Sequence, residues 1–131
     1  MHASAVLFGG ECLVFTGAAG SGKSTRVARH ILQGGTLVAD DFLHITAKEI
    51  TPPPTIAGVL ALRDYGLLKL PFSATAAPQR FIVCDQHTAP DFSEHEWRAL
   101  CAMGELLPDD WIPRRQKYLV RRKEKHGKKT S

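Results

Sequence analysis

The 131-residue chain is 44% apolar and 23% charged, a balance that suits one folded domain and leaves too little length for two ordinary ones. That composition excludes an extended disordered chain, and no apolar run approaches the roughly 20 residues a helix needs to cross a bilayer. The net charge of +4 is modest, so neither a uniformly basic nor a uniformly acidic surface is expected.

In chain order, the opening Met1-His2-Ala3-Ser4 lacks the basic-then-apolar layout of a secretory leader, so the cytoplasm is the expected location. Ala5-Val6-Leu7-Phe8 and Cys12-Leu13-Val14-Phe15-Thr16 are apolar runs separated by Gly9-Gly10-Glu11, which predicts a β-hairpin. A helix is predicted over residues 23–33, with Val27, Ala28, Ile31 and Leu32 on or near one face and Gly34-Gly35 as its stop. Residues 36–39 form a short predicted strand ending in Asp40-Asp41, and residues 42–46 are a candidate for another. Thr51-Pro52-Pro53-Pro54 predicts a loop or a sheet edge, because proline has no amide hydrogen to donate. Residues 59–63 and 67–70 are predicted strands around Asp64-Tyr65-Gly66.

Residues 80–84 are near-continuously apolar and end at Asp85, which predicts a strand. Ser93 and Glu96 have the spacing of a capping box, which starts a helix running to about Met103 before Gly104, with Trp97, Leu100 and Cys101 as its buried face. From Arg114 onward nine basic residues (Arg114, Arg115, Lys117, Arg121, Arg122, Lys123, Lys125, Lys128, Lys129) face one acid, Glu124; that stretch carries +8 of the net +4, which leaves −4 on the rest. The expected organisation is a domain over residues 1–113 and a basic tail over residues 114–131, solvated or disordered. A basic run alone is no specific signal, so nucleic acid is not an expected partner. Cys12, Cys84 and Cys101 are expected to be reduced and mostly buried, and Cys84, His87, His95 and Cys101 match no common zinc-ligand spacing.

The most specific motif is Gly17-Ala18-Ala19-Gly20-Ser21-Gly22-Lys23-Ser24, followed by Thr25, which satisfies G-x-x-x-x-G-K-[ST] between a predicted strand and a predicted helix. Small residues let successive backbone amides curl around a phosphate, and the helix N-terminus adds unpaired donors and a favourable dipole. In such a loop Lys23 places a charge on the β and γ phosphates, and the Ser24 hydroxyl can ligate Mg²⁺. Residues 17–25 are therefore the expected nucleoside triphosphate site. Phosphoryl transfer to a hydroxyl also needs a carboxylate for the metal and usually a base. Asp40-Asp41 ends the strand after the helix, which in a βαβ unit lies on the same sheet edge as the loop. Adjacent strand residues face opposite ways, so the two would divide these tasks. Asp85, at the end of its apolar strand, is the rival for the metal.

These residues resemble the catalytic domain of HPr kinase/phosphorylase, the bacterial enzyme that phosphorylates a serine of the phosphocarrier HPr. His2 ahead of the hairpin, the loop over residues 17–24 and Leu37-Val38-Ala39-Asp40-Asp41 carry the resemblance at the family's intervals. The opening His2-Ala3-Ser4-Ala5-Val6 is similar to the short members that lack the N-terminal domain of longer relatives. The resemblance is clear to about Arg63 and weaker to Asp85. It implies an α/β P-loop domain of the kind shared with phosphoenolpyruvate carboxykinases, a mixed sheet with flanking helices, ATP with Mg²⁺, an HPr-like partner and a homo-oligomer. It also implies that Asp40 is the base, that Asp41 and Ser24 lie near the metal, that His2 lies near the phosphates, and that Asp85 belongs to the core.

Two departures stand out. Where the family has Glu, one residue, Arg and Gly, this chain has Ala61-Leu62-Arg63-Asp64, so only Arg63 remains to steady phosphate charge. Thr25 replaces an acid that is frequent in the family, and no phosphorylase loop can be aligned. The expected activity is ATP-dependent protein serine kinase without dephosphorylation. The alternatives are a nucleotide-binding regulator with little catalysis and a small-molecule kinase.

Overall fold

Alternation along the first two strands sorts their side chains into two cores. The computed structural model describes residues 2–18, 20–40, 43–46, 48–52, 57–77, 80–84 and 91–108. Strands β1 (Ala3–Phe8) and β2 (Glu11–Thr16) pair antiparallel, with Ala3 opposite Thr16 and Phe8 opposite Glu11. Val6, Leu13 and Phe15 face one cluster, while Ala3, Ala5, Cys12 and Val14 face the other, as a period of two requires.

The first cluster lies under helix α1 (Lys23–Leu32), whose Val27, Ala28 and Ile31 repeat at helical spacing. The helix ends one residue earlier than expected. Gly34, at φ +102°, takes the left-handed conformation, and the amides of Gly34 and Gly35 donate to the carbonyls of Ile31 and His30. Strand β3 (Thr36–Ala39) then pairs antiparallel with β1 and not with β2. Strand β8 (Arg80–Val83) pairs parallel with the other side of β2. The order β3-β1-β2-β8 is thus a mixed sheet: β2, β3 and β8 run one way and β1 the other.

Two smaller layers flank it. Strands β4 (His44–Ile45) and β5 (Ile50–Thr51) pair over the second cluster, and Thr51 lies at the edge that the following prolines predict. Strands β6 (Val59–Leu62), β7 (Gly66–Lys69) and β9 (Glu105–Leu106) form an antiparallel sheet whose Leu60, Leu62 and Leu68 join the first cluster. Helix α2 (Glu94–Ala102) buries Leu100, with Trp97 and Cys101 partly buried beside it. Both capping-box bonds form: Ser93 Oγ accepts from the Glu96 amide at 3.1 Å, and Glu96 Oε1 accepts from the Ser93 amide at 2.9 Å. The Ser93 amide holds the Glu96 carboxyl below its usual range, and the Arg29 guanidinium reinforces this. Ser93→Ala is expected to lower the urea midpoint by the equivalent of about 1 kcal/mol, with an unchanged m-value.

Helix α2 ends before Gly104, as expected; that glycine is not left-handed, and a Cβ there would lie 2.0 Å from the Lys69 carbonyl oxygen, so glycine lets β9 approach β7. Strand β8 forms where the apolar run predicts a strand; it is the end of its sheet among the described residues, with Phe81 53% and Val83 71% exposed. The thiols of Cys12 and Cys84 are buried and that of Cys101 half-buried, none in a disulfide; burial pushes the Cys12 and Cys101 thiols up. Among the described residues, no helix is long and apolar enough to cross a membrane, and no group of His, Cys, Asp or Glu is arranged to hold a metal by itself. The basic tail lies outside the described residues.

Candidate functional site

Strand direction decides what meets at one rim of the main sheet. The C-terminal ends of β2, β3 and β8 and the N-terminal end of β1 all lie on the same side. This brings His2, the loop after Thr16, Asp40 and Cys84 to one edge.

The loop is built on left-handed glycines. Gly17, Gly20 and Gly22 have φ of +143°, +82° and +90°, and Gly22 is the N-cap of α1. A Cβ on Gly17 would lie 2.3 Å from the Cys84 carbonyl oxygen and 2.7 Å from Ser21 Oγ, so the loop is pressed against the chain leaving β8. The Cys84 amide holds that chain by donating to the Thr16 carbonyl at 2.7 Å.

The chain then turns back on itself, the Ser21 amide donating to the Ala18 carbonyl at 3.1 Å. Inside this turn lies the Lys23 side chain, 7% exposed, whose ammonium donates to the carbonyls of Gly17 at 2.6 Å and Ala18 at 3.0 Å. Ser21 Oγ is buried and has no hydrogen-bond partner among the described residues, an expensive condition for a hydroxyl. The N-terminus of α1 has no side-chain cap and no acid in its first turn. Ammonium, orphaned hydroxyl and uncapped helix end together suit an anion.

Asp40 is 3% exposed and, among the described residues, bonded from three elements. Its Oδ1 accepts from Ser24 Oγ on α1 at 2.5 Å and from Ser4 Oγ on β1 at 2.8 Å, and its Oδ2 accepts from the Ala61 amide on β6 at 2.9 Å. A hydroxyl and a carboxylate in contact are hard oxygen donors, and they fit Mg²⁺, which takes one or two protein oxygens and fills its remaining positions with phosphate and water.

Of the expected site residues, Gly17, Ala18, Gly20, Ser21, Gly22, Lys23, Ser24 and Asp40 come together. Thr25 is half-buried on the first turn of α1, and His2 is exposed at the rim just before β1. Arg63 is exposed in the β6–β7 turn, where with Ala61, Leu62, Asp64 and Tyr65 it lines a shallow depression of about 400 Å³. Ala19, Asp41 and Asp85 lie outside the described residues. Two contributors escaped the sequence reading, Ser4 and the Ala61 amide. Ser4 left one signal, a hydroxyl at a core-facing position of an apolar strand.

The fold that carries this site is mixed α/β, with a mixed sheet and two helices among the described residues. Among solved structures it is similar to the HPr(Ser) kinase/phosphatase from Coxiella burnetii, with a TM-score of 0.54 and 19% sequence identity over 63% of this chain and 57% of that one. The likeness at that identity is one of fold, and the chain spans little more than half of that neighbour's length. No family model matches the chain, and no curated protein matches it by sequence.

Proposed function

We propose that the chain is an ATP-dependent protein serine kinase of the HPr-kinase type, acting on an HPr-like phosphocarrier in the cytoplasm as a homo-oligomer, without efficient dephosphorylation. On this reading residues 1–113 form a P-loop domain of the phosphoenolpyruvate carboxykinase-like kind, and residues 114–131 are an appended basic tail. The observation that carries it is the loop around Lys23: a buried ammonium and a Ser21 hydroxyl with no hydrogen-bond partner among the described residues, both at an uncapped helix start. Both groups gain partners when a polyphosphate enters.

The loop amides and Lys23 would hold the β and γ phosphates and stabilise the charge that develops on them. Ser24, with Asp41 as the resemblance implies, would hold the magnesium ion; the bond from Ser24 to Asp40 supports a place for Asp40 beside it as well. Held there, such an ion would neutralise part of the phosphate charge. The acceptor serine oxygen forms a bond to the γ phosphorus as the bond to the β–γ bridging oxygen breaks. ADP departs, and the serine proton passes to the Asp40 carboxylate. His2 and Arg63 would meet the phosphates from the rim and from the β6–β7 turn.

Labelled ATP, Mg²⁺ and a phosphocarrier of the HPr type from the same genome test this directly. Serine labelling is expected, and Asp40→Ala is expected to reduce its rate at least about 100-fold, the range for loss of a general base. If Asp40→Ala labels serine as fast as the parent chain, the assigned chemistry is wrong. A second reading, a nucleotide-binding regulator, is favoured by Ala61, whose methyl stands where the family has a carboxylate. It predicts tight ATP binding with no transfer to any acceptor.

A further inference from the structure

Ser4 is completely buried within β1, opposite Phe15 in the pairing with β2. A hydroxyl in such a place is costly unless bonded, and this one donates to Asp40 Oδ1 at 2.8 Å. The same oxygen receives the Ser24 hydroxyl at 2.5 Å, and the opposite oxygen receives the Ala61 amide at 2.9 Å.

These three donors differ in what they can do. Ser24 stands at the start of α1, and its oxygen is the one a nucleotide-bound cation would take, so its bond to Asp40 must rearrange. The Ala61 amide fixes only Oδ2, and a carboxylate held at one oxygen can still turn about its broad terminal torsion. Ser4 adds the second fixed point. It sits inside a strand paired on both sides, with β2 and β3, and cannot follow the ligand.

We propose that Ser4 is a positioning residue: its hydroxyl keeps Asp40 Oδ1 turned towards Ser24 and thereby sets how tightly the site takes the divalent cation that accompanies the nucleotide. The proposal rests on the nucleotide and metal reading above. Ser4 touches neither the nucleotide nor the cation; it acts through the plane of one carboxylate. Its loss would therefore weaken the cation-dependent part of nucleotide binding and spare the part supplied by Lys23 and the loop amides.

The test is binding of the non-hydrolysable ATP analogue AMPPNP, measured in EDTA and again across a Mn²⁺ titration, with free Mn²⁺ followed by electron paramagnetic resonance. Ser4→Ala is expected to raise the Mn²⁺ midpoint about tenfold, the lower end of the effect of losing an outer partner of a metal ligand, while affinity in EDTA stays within about twofold. Ser4→Cys keeps the shape but donates weakly, and should show the same displacement if the alanine variant folds poorly. Ser4→Thr retains the hydroxyl and should return the midpoint to near the parent value. An unmoved midpoint in Ser4→Ala and Ser4→Cys overturns the proposal, as does an equal loss with and without Mn²⁺, which would mean general loosening of β1. If the parent chain fails to bind AMPPNP in either condition, the nucleotide reading itself falls and this proposal falls with it.

Discussion

Lys23→Ala is expected to weaken ATP binding by about 10- to 100-fold, the loss of one or two charge-assisted hydrogen bonds to phosphate. In the ligand-free protein the Lys23 ammonium already has partners, the carbonyls of Gly17 and Ala18. Removing it trades two hydrogen bonds for relief from burying a charge, so intrinsic stability should change little. The effect should therefore appear in the ligand-induced gain. At a hundredfold excess of ATP over its dissociation constant the parent chain gains about 2.7 kcal/mol. The variant, at the same ATP concentration, should gain about 1.4 kcal/mol or less. Thermal melts with and without ATP and Mg²⁺ measure both quantities. Equal gains in the two proteins would mean that the curled loop is only a turn before a helix.

Gly17→Ala should damage the fold and the site together. At φ +143° any side chain is strained, and this one would point into backbone: a Cβ would lie 2.3 Å from the Cys84 carbonyl oxygen. That carbonyl cannot retreat easily, because its own residue is tied to Thr16 through the 2.7 Å amide bond. Strain and overpacking each cost about 1–3 kcal/mol, so a loss of about 2–6 kcal/mol is expected from urea unfolding. Gly10→Ala is the comparison: its φ is +81°, but a Cβ there meets nothing within 4 Å, so only the conformational cost applies. A Gly17→Ala midpoint no lower than that of Gly10→Ala would show that the loop does not press on β8 as described.

What was legible in the chain was local. The glycine-built turn before α1, the glycine stop of α1 and the Ser93–Glu96 box each depend on residues within a few positions of one another, and their physical causes are contained in those positions. The pairing of β3 with β1 was not legible, because antiparallel and parallel partners bury the same alternating residues. The anchoring of Asp40 also escaped, since Ser4 lies 36 residues before it and Ala61 lies 21 residues after it. An apolar run identifies a strand but not its neighbours, so residues 80–84 predict a strand without saying that it ends its sheet among the described residues. Arg63 was assigned by motif, and motif alone does not say that the β6–β7 turn leaves it in solvent.

The reversed direction of β1 bears on how the protein should be handled. Ala3 lies opposite Thr16, so whatever is joined ahead of His2 emerges beside the glycine-rich loop that follows Thr16. On the proposed function, an affinity tag or fluorescent partner fused there crowds the approach of the protein acceptor and is expected to lower activity without altering any residue. The Gly9-Gly10 bend is at the far end of the same hairpin, exposed and open around both glycines, and is the better place for a probe.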